Sequence, residues 1–226
     1  MSPHDTLRRL DDLIQSRSIL RHPFYVAWQQ GTLTRDQLAT YARVYYPHVA
    51  AFPRYIAAAA AGTTDAEVRD ALDRNLADEL HHPKAHTELW LDFANALGAD
   101  RAAVTSGAVH PRTAGIIDTF ERLGASSAAE GLAALYAYES QQPEVSRQKA
   151  DGLRKSYGVT DPTALGYFEV HAATDLEHRA EERAALERCL AAGADGDAVI
   201  GAAEQALDAY WGLLDGVCEE AEITCA

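Results

Sequence analysis

The sequence predicts an all-α protein, a single domain over residues 1–226 built as a bundle of about seven to eight helices. Three observations carry this. Apolar residues recur at helical spacing along most of the chain. Glycines and prolines divide it into long segments joined by short links, with no extended linker between two halves. Sustained alternation and Asn-Gly hairpin turns, the marks of strands, are missing. The alanine runs have no fixed period, which disfavours a solenoid.

Each element has its own signal. Leu7, Leu10 and Leu13 make the apolar stripe of the first helix, with Ser2 as its cap and Pro3 behind it. "HPFYVAWQQG" sets Phe24 and Trp28 four apart and stops at Gly31. A long segment capped at Thr32 or Thr34 closes at Gly62, and Pro47 and Pro53 inside it predict a kink or break. The next runs from a Thr/Asp cap to Gly98, with Pro83 bending its most polar stretch. A shorter helix covers "HPRTAGIIDTFERLG". Two long ones follow, "SAAEGLAALYAYESQQPEVSRQKADGLRKSYG" and "DPTALGYFEVHAATDLEHRAEERAALERCLAAG", and a final helix spans "DAVIGAAEQALDAYWGLLDGVCEEA".

The formal net charge of −14 disfavours partners bound through a basic patch, namely nucleic acid and anionic membranes. No stretch approaches the roughly 20 apolar residues of a membrane span. The N-terminus is too polar for a signal peptide, so the expected compartment is the cytoplasm. Three cysteines without CxxC spacing fit neither a disulfide framework nor a zinc knuckle. Cys189 reads as a core or helix-face residue and Cys225 as a tail thiol.

The chemistry concentrates in acids and histidines. His171, Asp175 and His178 stand at i, i+4 and i+7, within about 40° of one helical line. Glu177, Arg179, Glu181 and Glu182 read as the solvated flank. In "DELHHPKAH", Glu79 and His86 are seven apart, again about 20° from alignment. His82 offers a rival ExxH step with Glu79, and His81 points to solvent. Glu139 follows the nearly uncharged run Gly131 to Tyr138, where a carboxylate is costly unless paired or bound to metal. Three carboxylates and three imidazoles form an oxygen/nitrogen donor set suited to iron or manganese. Solvated acid/histidine faces are common, and it is the convergence of three segments that favours metal.

The segment "HPFYVAWQQGTLTRDQLATYARVYYPHVAAFPRY" and the ordered set Glu79, His86, Glu139, His171, Asp175 and His178 resemble the CADD-like proteins. This is a branch of the heme-oxygenase-like di-metal oxidases related in fold to TenA and PqqC. The resemblance covers nearly the whole chain. It implies a heme-oxygenase-like bundle, a homodimer, and a pair of transition-metal ions (Fe/Fe or Fe/Mn) working with dioxygen and an external reductant. It also implies synthesis of p-aminobenzoate for folate with no external aromatic substrate, Tyr25 supplying the ring and Lys149 the nitrogen. Tyr41 and Tyr138 match further tyrosines of that chemistry. By pattern alone, Lys149 reads as a surface lysine about 80° round the same helix from Glu139, and Tyr25 as a core aromatic beside Phe24 and Trp28. The rivals are an oxidase acting on an external amino acid or fatty acid, and a metal-free TenA-like binding protein.

Overall fold

The computed structural model describes residues 2–224. Eleven α-helices and one 3-10 turn (Ile19–Arg21) occur among them, with no strand: α1 Pro3–Ser16, α2 Pro23–Gln30, α3 Arg35–Ala61, α4 Ala66–His81, α5 His86–Ala96, α6 Arg101–Ser106, α7 Pro111–Ser126, α8 Ala128–Glu139, α9 Gln142–Ser156, α10 Pro162–Ala191 and α11 Gly196–Glu220. The all-α expectation holds. The number of segments exceeds eight because two anticipated rods are broken and the short α6 had no separate signal.

Local chemistry sets the ends. The Ser2 side chain accepts from Asp5 N at the start of α1. Thr34, not Thr32, caps α3 in a capping box with Gln37. Asp65 accepts from the Glu67 and Val68 amides to start α4. Gly31 ends α2 in the left-handed region at φ 68°, where glycine is at no disadvantage.

The prolines act unequally. α3 runs unbroken through Pro47 and Pro53, so the expected break is absent. In the turn before Pro47, the Ala42 and Val44 carbonyls accept hydrogen bonds from Trp90 Nε1 (2.8 Å) and Thr113 Oγ1 (2.9 Å), so neighbouring helices supply donors there. Pro143 does break its rod: its ring clashes with the Glu139 carbonyl and offers it no N–H, and α8 ends at Glu139. Lys149 therefore sits on α9, not on the helix of Glu139. Around Pro83 the chain turns between His81 and His86, so Glu79 and His86 belong to different helices.

One contiguous apolar core runs from Leu7 to Cys218. α8 lies at its centre, buried at every position but Glu130, against α3, α7, α10 and α11. Gly131 permits this. A Cβ there would stand 2.8 Å from Ala59 Cβ on α3 and 3.0 Å from Gly124 Cα on α7. Cys189 is free and half-buried. Cys218 is disulfide-bonded, which corrects the reading of the cysteines, and Cys225 lies outside the described residues. Among the described residues no helix is long and apolar enough to cross a membrane.

Candidate metal centre

Four helix segments deliver the acidic and imidazole side chains to the core. Glu79 comes from the last turn of α4, His86 from the first residue of α5, Glu139 from the end of α8, and His171, Asp175 and His178 from the middle of α10. All six are buried. His86 Nδ1 lies 2.9 Å and His171 Nε2 3.9 Å from Glu79 Oε1, and one ligand atom from each of the three falls within 4.8 Å of the others. Glu79, Glu139, His171 and Asp175 line one small cavity with Tyr138 and Tyr167. His178 Nδ1 is 3.5 Å from Asp175 Oδ1. The chain break at Pro83, rather than helical phase, brings Glu79 and His86 together.

Each imidazole spends one nitrogen on an outer partner and turns the other inward. His171 Nδ1 is 2.7 Å from the Tyr167 carbonyl and His86 Nε2 is 3.3 Å from the His82 carbonyl. His178 Nε2 is 3.0 Å from Asp78 Oδ2. Such partners fix tautomer and ring orientation in metal-bound histidines. His82 itself is exposed, so the rival ExxH step is not formed, although its carbonyl orients His86. His81 is exposed as expected.

The residues fit a cation. His86 Nδ1, Asp175 Oδ2 and His178 Nδ1 are buried without a hydrogen-bond partner. His86 Nδ1 is near Glu79 in distance yet lacks hydrogen-bond geometry, as two donors facing one ion do. Buried polar atoms left this way are costly. Burial pushes the Asp175 carboxyl up to about 7 and raises Glu139. It holds His171 well below the usual imidazole range. For His178 burial works downward, but the adjacent carboxylates of Asp175, Glu139 and Asp78 outweigh it and lift the ring to about 10.

Glu182 corrects the sequence reading. It is not part of a solvated flank but is 3% exposed, and its carboxyl meets that of Glu139. The signal was present: it stands eleven residues after His171, about 20° from the same helical line. Asn75, one turn before Glu79, holds Glu139 through Nδ2 at 3.2 and 2.9 Å from the two oxygens.

A family model described as an iron-containing redox enzyme matches residues 39–211. The chain belongs to this family. A 4-aminobenzoate synthase of Nitrosomonas europaea is 39% identical, covering 97% of this chain and 93% of the relative. A 4-aminobenzoate synthase of Chlamydia muridarum is 37% identical over 97% of this chain and 92% of its own. A protein of heme oxygenase-like fold from Shewanella denitrificans superposes with a TM-score of 0.80 at 18% identity, covering 100% of this chain and 97% of that chain. Family and fold agree with the resemblance stated from the sequence.

This member of the family carries a second buried cluster beside the first. Lys149 is 3% exposed, which corrects its reading as a surface lysine: the break at Pro143 resets the helical phase and turns α9's lysine inward. Its Nζ lies 4.7 Å from the Tyr25 ring centroid and 5.0 Å from that of Tyr41, with Trp28, Tyr45 and Phe168 completing an aromatic cage. Nζ donates to Tyr41 OH at 2.5 Å. From Tyr41 a row of packed phenols leads on: Tyr41 packs on Tyr45 with ring centroids 5.2 Å apart, and Tyr45 shares a hydrogen bond with Tyr138 at 2.8 Å. Tyr25 shares one with Tyr210 at 3.3 Å, and Tyr210 packs on Tyr138 at 4.8 Å. Tyr138 lines the metal-facing cavity. Tyr45 and Tyr210 were not picked out from sequence. Tyr45, one turn after Tyr41, had a local signal; Tyr210, on the last helix, had none.

Proposed function

We propose that this iron-containing redox enzyme is a 4-aminobenzoate synthase that consumes its own Tyr25 and Lys149. The observation that carries the reading is the Lys149 amine 4.7 Å from the Tyr25 ring inside a buried cage, linked through phenols to a cavity lined by carboxylates and histidine. Glu79, His86 and His171 would hold one metal ion, and Asp175, His178 and Glu139 would hold the other. The pair is two irons or iron with manganese. When bound, it supplies oxidising equivalents from dioxygen and an external reductant.

The chemistry of the product selects these two side chains. p-Aminobenzoate carries its amino group para to its carboxyl, as tyrosine carries its phenol oxygen para to Cβ. Keeping the Tyr25 ring therefore means breaking Cα–Cβ, oxidising Cβ to the carboxyl, and replacing the phenol oxygen by the Lys149 nitrogen, whose bond to Cε breaks. Burial holds the Lys149 amine's pKa well below the usual lysine range, which favours the free amine, the form with a lone pair. Burial likewise keeps Tyr25 a protonated phenol. Oxidising its ring therefore moves a proton with the electron, and the Tyr210 oxygen stands ready to accept it. The working unit is a cytoplasmic homodimer with no external aromatic substrate.

The test is purified protein carrying ring-labelled tyrosine, given iron or manganese, reductant and dioxygen with no small substrate. Labelled p-aminobenzoate at no more than one per chain is expected, lost in Tyr25→Phe and Lys149→Arg. Unlabelled product, or many turnovers per chain, overturns the reading.

A further inference from the structure

We infer that Glu182 is a seventh metal ligand, one that would bind the ion held by Asp175 and His178. The inference rests on the dinuclear reading above and deepens it.

The side chain has no other role in the fold. On α10 the sequence His171, Asp175, His178, Glu182 continues one face by a further turn. Glu182 is as buried as its neighbours, and both of its oxygens lack any hydrogen-bond partner. A carboxylate left so in a core is strongly unfavourable. Nearby guanidinium groups do not relieve it. Arg183 pairs with Asp11 at 3.0 Å, Arg74 with Glu181 at 2.8 Å, and Arg188 with Asp65 at 2.9 Å. Glu182 faces Glu139, which Asn75 holds, and Asp175 stands nearby. Two facing carboxylates beside a third at Asp175 call for a cation, and a first-row divalent metal ion fits the mixed donors.

The two half-sites then differ. One presents Glu79 with two imidazoles, the other Asp175, Glu139 and Glu182 with one imidazole. Two ions in such unlike shells bind in distinguishable steps.

Anaerobic cobalt(II) titration of the full chain, followed by calorimetry and by visible d–d absorption, tests this without turnover. The wild type should take two ions per chain. In Glu182→Gln one of the two steps should lose at least tenfold in affinity and change its d–d bands, with the other step unmoved. Glu182→Asp should recover part of the loss. The metal-free Glu182→Gln protein should melt no lower than the wild type, because a buried unpaired carboxylate has been removed. Two unchanged steps with unchanged spectra overturn the inference and leave the dinuclear reading intact. A lower metal-free melting temperature with unaltered cobalt binding makes Glu182 structural and also overturns it. Fewer than two ions on the wild type overturns both.

Discussion

The Lys149 amine and the Tyr25 ring, 124 residues apart in the chain, meet at 4.7 Å inside the bundle. Only Tyr41 OH accepts a hydrogen bond from Nζ among the described contacts. A lysine so placed has a stability signature. Burial holds its amine below the ordinary lysine value of 10.5 in the fold, so over that interval the unfolded chain binds the extra proton. Stability therefore rises with pH up to about 10.5. Lys149→Met should be more stable than the wild type at pH 7 by roughly 1 kcal/mol or more, and the gap should narrow at pH 9.5. Thermal melts at both values check this.

Tyr45 shares a hydrogen bond with the cavity-lining Tyr138 and packs edge-on against Tyr210, the partner of Tyr25. Tyr45→Phe keeps the ring that stacks on Trp90 at 5.0 Å and removes only the hydroxyl. Metal content should stay at the wild-type level while p-aminobenzoate yield falls tenfold or more. An unchanged yield would show that the phenol chain is packing alone.

Metal should stabilise the fold through mass action. At a hundredfold excess over Kd, iron or manganese should add about 2.7 kcal/mol for each site. His171→Ala removes a donor to the Glu79–His86 cluster and should lose most of this increment, read as the rise in melting temperature on metal addition and its reversal by chelator.

His48 is fully buried among Tyr45, Phe52, Tyr55, Phe120 and Tyr138. Burial pulls its pKa from 6.5 to about 3. Its stabilisation is complete above pH 6.5 and is lost as pH falls toward 3, by about 1.4 kcal/mol per pH unit. The stability difference between the wild type and His48→Gln should shrink at that slope between pH 6.5 and 4.5 in urea unfolding.

Gly131→Ala forces a Cβ against Ala59 and should cost about 1–3 kcal/mol, shifting the helix that carries Glu139. Gly212→Ala, with nothing within 4 Å of the new atom, should instead stabilise by about 0.5–1 kcal/mol. Paired melting curves separate the two.

Much of this was legible in the chain. Ser2, Thr34 and Asp65 announced helix starts because side-chain caps are local chemistry, and α10's spacing announced its inner face. What local reading could not supply was phase across a break. Pro47 and Pro143 look alike on paper, yet only the latter ends its helix. That difference turned Lys149 inward. Glu182 was misread for another reason: among Glu177, Arg179, Glu181 and Arg183 it looks like one more solvated charge, and only the position of Glu139 on another helix shows otherwise.

Tyr25 is 1% exposed, in the first turns of α2 and in edge contact with Phe24. If its ring leaves as product, the chain keeps a backbone with no side chain there and a void the size of an aromatic group. Deleting a buried aromatic costs about 3–5 kcal/mol, a large part of the 5–15 kcal/mol that holds a typical domain folded. The spent polypeptide would thus be a marginal fold, exposed to proteolysis after a single use. Supply of the product would then follow the ribosome's output of fresh chains rather than any rate constant of the site.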